Sequence, residues 1–251
     1  MKCPHCGQEH PDESNFCPKT GKKLKLACKN SGCSYYGEYI YPLDLDTCPC
    51  CGRSLIHEFV DLGLSVKWAT CNVGAEKPEE SGDYFAWGET KPKSSYDWST
   101  LKYCNDSTGD SFSKYNRNKA GTRDNRTVLE PEDDAAHANW GGDWRMPTAE
   151  EFQELIDKCT WEWTEMNGKE GYKVTSKVNG NSIFLPAAGW RNGTSLDDTS
   201  LDYAGSDGDY WSSSLYEGSS GYARGLSFDS DDHGTCGSRR RFGRSVRPVF
   251  R

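Results

Sequence analysis

Cysteine spacing is the feature that most constrains what this chain can fold into. Eight of its 12 cysteines fall within the first 51 of 251 residues, and most stand in close pairs. Pairs of this kind are typical of structural zinc sites, in which two turns each present two thiolates to a tetrahedral Zn²⁺. The clustering therefore predicts small metal-held modules, because segments of about 30 residues bury too little apolar surface to fold alone.

The module predicted over residues 27–56 has a complete ligand set. Its four candidate zinc ligands are Cys28, Cys33, Cys48 and Cys51. A tyrosine-rich segment between the two pairs predicts the short strands of a ribbon, and Gly52 suits the tight turn after the second pair. Cys50 is the alternative to Cys51, which is preferred because it leaves two intervening residues after Cys48. The sequence predicts a structural four-thiolate zinc site here.

The module predicted over residues 1–26 is one ligand short. Its three cysteines are Cys3, Cys6 and Cys17. Thr20 stands where the double-knuckle pattern requires a fourth cysteine. Either His10 or His5 completes a site of three cysteines and one histidine, or the module is a metal-free ribbon held by its neighbour. We take His10 as the candidate fourth ligand.

The other four cysteines are scattered along the chain, at Cys71, Cys104, Cys159 and Cys236. The chain opens with Met1 directly into a metal motif instead of a secretion signal, so we expect a cytoplasmic protein, with association with a virion as the alternative. In a reducing compartment these four residues are expected to be free thiols. No stretch has the roughly 18 apolar residues of a bilayer-spanning helix, so no membrane span is expected.

The net charge of −8 argues against a protein that coats nucleic acid, which needs clustered cations facing the phosphates. Lysines do occur in the N-terminal modules, for example Lys22 and Lys23, but acidic residues such as Glu9 and Glu13 are interleaved with them. Nucleic acid is therefore not the expected partner.

Residues 57–251 make up the third predicted domain. The chain is only 34% hydrophobic yet contains 9 Trp, 13 Tyr and 9 Phe, so its core must depend on aromatic side chains. Thr148 as N-cap, Glu151 three residues later, and an apolar face of Phe152, Leu155 and Ile156 predict a helix over residues 148–158.

The remainder of this domain predicts one further short helix around residues 132–139, with short strands and loops elsewhere. The clearest strand candidates are residues 172–174, 182–185, 222–228 and 245–249. Two helices among many short strands indicate an α+β fold class.

Seven segments of this domain resemble, in order, the landmarks of the "major paralogous domain" family. They are FVDLGLSVKWATCNVGA at residues 59–75, GDYFAWGET at 82–90, DDAA at 133–136, WRMPT at 144–148, LPAAG at 185–189, YWSSS at 210–214 and GRSVRPV at 243–249. The resemblance covers about residues 58–251 and implies a C-type-lectin-like fold of the formylglycine-generating-enzyme type. Trp68, Trp144 and Trp211 are expected to supply core volume in such a domain.

The segment between the last two landmarks, residues 215–242, is irregular and rich in Tyr, Ser, Gly, Asp, His and Arg, the composition of adaptable binding loops. It resembles the variable region of diversity-generating retroelement proteins. That resemblance implies a set of candidate ligand contacts: Tyr216, Glu217, Ser219, Ser220, Tyr222, Arg224, Ser227, Asp229, His233, Arg239 and Arg241. Ala223, Leu226 and Phe228 are expected to point inward. The alternative is an ordinary solvated loop.

Neither catalysis nor a calcium site is expected. His233 has no assignable nucleophile partner, and the scattered cysteines form no reactive pair. Asp229, Asp231 and Asp232 lack the spacing of a calcium loop, and residues 130–132 only superficially match a calcium-lectin motif. The leading hypothesis is thus a non-enzymatic module that binds a protein or glycan ligand. The alternatives are a structural protein of a phage or cell surface, or an enzyme of the formylglycine-generating type, and the oligomeric state stays open.

Overall fold

The computed structural model divides the chain into two compact units, Met1–His57 and Glu58–Arg251. It describes residues 25–27, 40–42, 57–117, 120–193 and 201–251.

In the first unit, strand β1 (Lys25–Ala27) pairs antiparallel with β2 (Ile40–Pro42). The predicted zinc ligands all lie outside the described residues: Cys3, Cys6, His10, Cys17, Cys28, Cys33, Cys48 and Cys51.

The second unit is an α+β arrangement of small antiparallel sheets and, in its described residues, two short α-helices. The sheets contain β3 (Phe59–Val60), β4 (Lys67–Ala69), β5 (Cys159–Met166), β6 (Lys169–Ser176), β7 (Ser182–Pro186), β8 (Trp190–Arg191), β9 (Leu201–Asp202), β10 (Gly208–Leu215), β11 (Tyr222–Phe228), β12 (His233–Arg239) and β13 (Val249–Phe250). Three sheets have three strands each, in the orders β13-β4-β3, β5-β6-β7 and β10-β11-β12, and β8 pairs with β9.

Helix α1 (Ala135–Trp140) begins three residues later than the start of the helix predicted around residues 132–139. A 3₁₀ turn, Pro131–Asp133, precedes it. The Asp134 carboxylate caps it by accepting hydrogen bonds from the backbone N–H of His137 at 3.0 Å and of Met146 at 2.8 Å.

Helix α2 (Ala149–Lys158) confirms the predicted helix and its capping box. The Thr148 hydroxyl accepts from the Glu151 N–H at 3.3 Å, and the Glu151 carboxylate accepts from the Thr148 N–H at 2.8 Å. Phe152 and Leu155 are fully buried on the apolar face. This helix is the longest that the structure describes, and no described helix is long and apolar enough to cross a bilayer.

The strand predictions are confirmed in three places. Strand β11 has the predicted bounds, and residues 172–174 and 182–185 lie within the longer β6 and β7. The strand predicted over residues 245–249 is wrong, because only Val249 of this range belongs to a strand, β13. Arg244 bridges to Phe85 and Ser245 bridges to Tyr210, so this segment changes partners at each step and forms no continuous ladder.

The sheet β10-β11-β12 has a hydrophobic cluster on each face. Tyr210 and Leu226 belong to the cluster that includes α2 and the sheet β5-β6-β7. Trp211 and Ala223 belong to a second cluster built around Trp87. Successive residues of a strand point to opposite faces, so this sheet is held from both sides.

Trp68 and Trp211 are fully buried, which confirms two of the three tryptophans expected in the core. Trp144 is only half-buried and packs edge to face on Trp140 at 5.0 Å between ring centroids and against Phe250 at 4.7 Å. The prediction that Trp144 lies in the core is therefore wrong, because the described residues around it leave part of the indole accessible.

Candidate ligand-binding surface

The candidate surface is supported by buried residues of β11. Ala223, Leu226 and Phe228 are at most 3% exposed, which confirms that they point inward. Leu226 and Phe228 anchor one face of the strand and Ala223 the other, so the backbone that carries the remaining side chains is held on both faces.

Tyr216, which follows β10, lies across the bare backbone of Gly237 on β12. A Cβ atom built on Gly237 would come within 2.9 Å of Tyr216 Cδ2, and one on Gly218 would come within 2.8 Å of Cε1. The Arg224 guanidinium carbon lies 5.4 Å from the centre of the Tyr216 ring, a cation–π distance. Gly218 and Gly237 thus leave the space in which Tyr216 meets Arg224.

Tyr222 and Arg239 stand opposite each other in the β11–β12 register. Arg239 Nε donates a hydrogen bond to the Tyr222 hydroxyl at 3.3 Å, and the Tyr222 and Tyr216 ring centroids are 6.3 Å apart. We call the four residues Tyr216, Tyr222, Arg224 and Arg239 the tyrosine–arginine surface. Arg239 is exposed and the other three are partly exposed, so their contacts with one another leave accessible faces.

Three further candidates border this surface. Glu217 is exposed, and the partly exposed Ser219 hydroxyl accepts from the Gly221 N–H at 3.3 Å in the β10–β11 turn. Arg241 is partly buried, with Nη1 donating to the Tyr96 carbonyl at 3.0 Å. Burial lowers the pKa of Arg241, and the charge of Arg239 lowers it further, because the two guanidinium groups repel each other.

Two candidates have side chains that are directed away from the tyrosine–arginine surface. Ser220 is 1% exposed, and its hydroxyl accepts a hydrogen bond from the Arg117 N–H at 2.9 Å. Ser227 is an odd number of residues from Tyr222 on the same strand and therefore lies on the other face of the sheet. There it hydrogen-bonds the buried Asp209 carboxyl, whose pKa is raised by burial despite this bond and the nearby Arg244.

Asp229 and His233 are also separated from this surface, since they lie at the far end of β11 and β12, roughly 20 Å along the strand from Tyr222. The Asp229 carboxylate accepts from the N–H groups of Asp231 at 2.8 Å and Asp232 at 2.9 Å, which shapes the turn. His233 stacks on Trp161 with ring centroids 4.5 Å apart, and burial lowers its pKa. Both side chains have local packing roles.

A second polar cluster brings together Glu130, Glu132 and Asp133, whose ligand oxygens lie within 4.8 Å of one another. The Lys114 ammonium lies 2.6 Å from Glu130, 3.3 Å from Glu132 and 2.5 Å from Asp133. Asp133 also accepts from the Tyr115 hydroxyl at 2.7 Å. A lysine therefore supplies the positive charge among these carboxylates.

The four cysteines of the second unit are free, as expected. Burial raises the pKa of Cys71 and Cys104 and raises that of Cys159 to about 11. These three thiols are thus protonated at neutral pH and are weak nucleophiles. Cys236 is partly exposed, with its sulfur 3.3 Å from Arg244 Nη1.

Comparison with protein families matches a zinc-ribbon domain to residues 2–23. The first module is similar to a zinc ribbon. The matched range contains Cys3, Cys6 and Cys17 together with Thr20, which supports zinc binding by the module that lacks a fourth cysteine. Comparisons with curated proteins and with solved structures give no match. No family match covers residues 57–251.

Zinc content will test both predicted metal sites. We expect the full chain to bind about two zinc ions, one for each module. Cys17→Ser and Cys28→Ser should each lower the zinc content by about one equivalent, because each removes a ligand. Cys50→Ser is the matched control and should leave the content unchanged. Plasma mass spectrometry of the purified protein gives the stoichiometry, and an unchanged value in Cys17→Ser would show that the first module holds no metal.

Proposed function

We propose that this chain is a non-enzymatic ligand-binding protein. Residues 57–251 present the tyrosine–arginine surface to a protein or glycan, and zinc ribbons at the N-terminus connect the chain to another component. The observation that carries the proposal is the position of Tyr216, Tyr222, Arg224 and Arg239 on a sheet that is packed on both faces. Tyrosine and arginine are enriched among the residues that dominate binding energy.

The packing lowers the cost of binding. Rigid aromatic side chains lose little conformational entropy when they contact a ligand, and the backbone beneath them is already ordered. Tyr216 lies against Gly218 and Gly237, whose missing side chains leave the space that its ring occupies. The surface is therefore pre-organised.

The finer proposal is a C-type-lectin-like scaffold with a diversified binding segment, as in retroelement-encoded variable proteins. Its support is the contrast between landmark and intervening residues. All of β10, which contains the YWSSS landmark, is buried, and so are residues 243–249. The segment between them supplies the tyrosine–arginine surface. An invariant core that holds variable surface positions has this distribution of burial.

The neighbouring DNA tests diversification directly. We expect a reverse transcriptase gene and an imperfect repeat of the codons for residues 210–249 that differs mainly at adenines. Absence of both would refute diversification but would leave ligand binding in place.

Library selection tests ligand binding. Zinc-loaded full-length protein is panned against a random-peptide phage library and a glycan array. In parallel, the same selection uses a triple variant with Tyr216→Ala, Tyr222→Ala and Arg224→Ala. We expect ligands that bind the wild type and do not bind the triple variant. The free energy of unfolding of the triple variant should differ from that of the wild type by less than about 1.5 kcal/mol in total, since the three side chains are on the surface. Gly237→Ala should weaken binding too, because the new methyl group displaces Tyr216. Equal binding by the wild type and the triple variant would refute the proposal.

A further inference from the structure

The arginines of the candidate surface form no ion pair with an acidic side chain in the part of the chain that the structure describes. Among the ion pairs between described residues, none involves Arg224, Arg239, Arg240 or Arg241. Acidic side chains outnumber basic ones in this chain, 38 to 30, so the lack of partners does not reflect a shortage of carboxylates.

Three arginines elsewhere in the same unit have carboxylate partners. Arg126 pairs with Glu130 at 3.1 Å, Arg145 with Glu151 at 2.5 Å and Arg244 with Asp209 at 2.7 Å. Arg247 also lacks an ion pair among the described residues, but it is fully buried and donates to Asn72 Oδ1 at 2.7 Å, whereas Arg224 and Arg239 keep accessible faces.

Arg240, at the turn after β12, adds a buried positive charge next to this surface. It is fully buried, and its Nε and Nη2 atoms have no hydrogen-bond partner among the described residues. Its guanidinium lies against the rings of Phe112 at 4.5 Å and Trp87 at 4.7 Å, and Nη1 donates to the Ser220 carbonyl at 3.0 Å. Burial lowers its pKa to about 10, which leaves it charged at neutral pH. A buried charge acts over a longer range than an exposed one because water screens it less.

We infer that the tyrosine–arginine surface binds an acidic polypeptide segment, with partner carboxylates on Arg224 and Arg239 and partner apolar or aromatic side chains against Tyr216 and Tyr222. The inference rests on the proposed function and names its ligand class. Arg224 and Arg239 stand on neighbouring strands and flank the two tyrosines, so cationic and aromatic positions alternate across the surface.

A polypeptide fits this alternation better than a uniformly anionic polymer. Planar guanidinium groups form paired hydrogen bonds with carboxylates. Tyrosine rings need apolar partners of similar size, which amino-acid side chains between the acidic residues supply. Glu217 at the border repels anions, so the surface favours separated carboxylates over a continuous run of charge.

The test uses zinc-loaded full-length protein and a fluorescein-labelled peptide of three Glu-Tyr-Glu-Gly repeats, measured by fluorescence polarisation at low and at physiological salt. We expect binding that weakens as salt rises. Arg224→Gln combined with Arg239→Gln should raise Kd by about tenfold or more, and Glu217→Gln should lower it about threefold. Lys169→Gln combined with Lys173→Gln is the matched control, because it removes the same charge from exposed positions on β6 and should leave Kd unchanged.

Two comparison ligands complete the test. A peptide with Lys in place of Glu should not bind, and a heparin oligosaccharide should bind more weakly than the acidic peptide. The inference is overturned if heparin binds more tightly, if the Lys peptide binds equally well, or if the paired arginine variant retains wild-type Kd.

Failure of this inference is distinguishable from failure of ligand binding itself. In the first case, library binders still depend on Tyr216 and Tyr222 but show no acidic bias and tolerate the arginine changes. In the second case, no binder distinguishes the wild type from the triple alanine variant.

Discussion

Asp133→Ala is expected to lower the free energy of unfolding of the larger unit by about 3–5 kcal/mol, because it removes a buried carboxylate that four donors share, among them the fully buried Tyr115. Asp133 is fully buried and accepts from Lys102 at 2.8 Å, Tyr103 at 2.6 Å, Lys114 at 2.5 Å and Tyr115 at 2.7 Å. Loss of this carboxylate removes four hydrogen bonds at once. Urea unfolding followed by tryptophan fluorescence measures the change.

Glu132→Ala is the control for this experiment. Its side chain is 64% exposed and meets Lys114 at 3.3 Å, so we expect a change of no more than about 1 kcal/mol. A loss in Asp133→Ala as small as that in Glu132→Ala would contradict the assigned role of the four donors.

The same carboxylate predicts a pH dependence. Burial acts to raise the pKa of Asp133, but hydrogen bonds from the two lysines and two tyrosines outweigh it and lower the pKa to about 2. A carboxyl with a lowered pKa in the folded state contributes stability above its unfolded pKa of about 4. That contribution declines as pH falls from about 4 to about 2. Unfolding curves of wild type and Asp133→Asn should therefore converge over this range, and a constant difference would argue against it.

Trp211→Ala should destabilise the same unit by about 3–5 kcal/mol, because it opens a large cavity in a packed core. Trp211 is fully buried, its Nε1 donates to the Phe85 carbonyl at 2.8 Å, and the Arg244 guanidinium lies 4.8 Å from its ring centre. The substitution removes the volume of the indole ring and its hydrogen bond. It also removes the contact of the ring with Arg244, which forms an ion pair with Asp209. Thermal and urea unfolding measure the effect.

Tyr216→Ala is the matched control, since it also truncates an aromatic side chain in the same part of the chain. Tyr216 is partly exposed on the tyrosine–arginine surface, and we expect a change of about 0.5 kcal/mol or less. Together the two variants separate the scaffold from the binding surface. Equal destabilisation by both would show that Tyr216 belongs to the core and would also undermine the proposed function.

Local patterns predicted several elements correctly. The capping box of Thr148 and Glu151 depends only on residues three positions apart, so helix α2 could be derived from sequence. Strand β11 was predicted with its bounds, and its inward anchors Ala223, Leu226 and Phe228 followed from apolar residues among polar ones. Each of these features is encoded within one segment.

Strand β10 shows why other elements could not be predicted. Ser212, Ser213 and Ser214 look like a polar loop, yet all three are buried. The Ser212 hydroxyl donates to the Arg224 carbonyl at 2.7 Å, and the Ser214 hydroxyl accepts from the Ala149 N–H at 3.1 Å. A buried hydroxyl is stable only when such partners are in place, and these partners come from distant segments.

The candidate contact set shows the same limit. Strand alternation places Ser227 on the opposite face, the hairpin carries Asp229 and His233 to the far end, and a backbone hydrogen bond from Arg117 accompanies the burial of Ser220. Gly237 was missed entirely, because a glycine carries no chemical signal of its own. Its role becomes visible only when Tyr216 lies across it.

The sequence by itself determined the cysteine spacing, the α+β class and the segment rich in Tyr and Arg, because these depend on residue type and on short-range periodicity. Only the tertiary structure decided which of those side chains share a surface and which arginines have carboxylate partners. The physical reason is that strand register, the face on which a side chain lies and ion pairing are set by contacts between residues far apart in the sequence. Arg117 and Ser220, for example, are 103 positions apart.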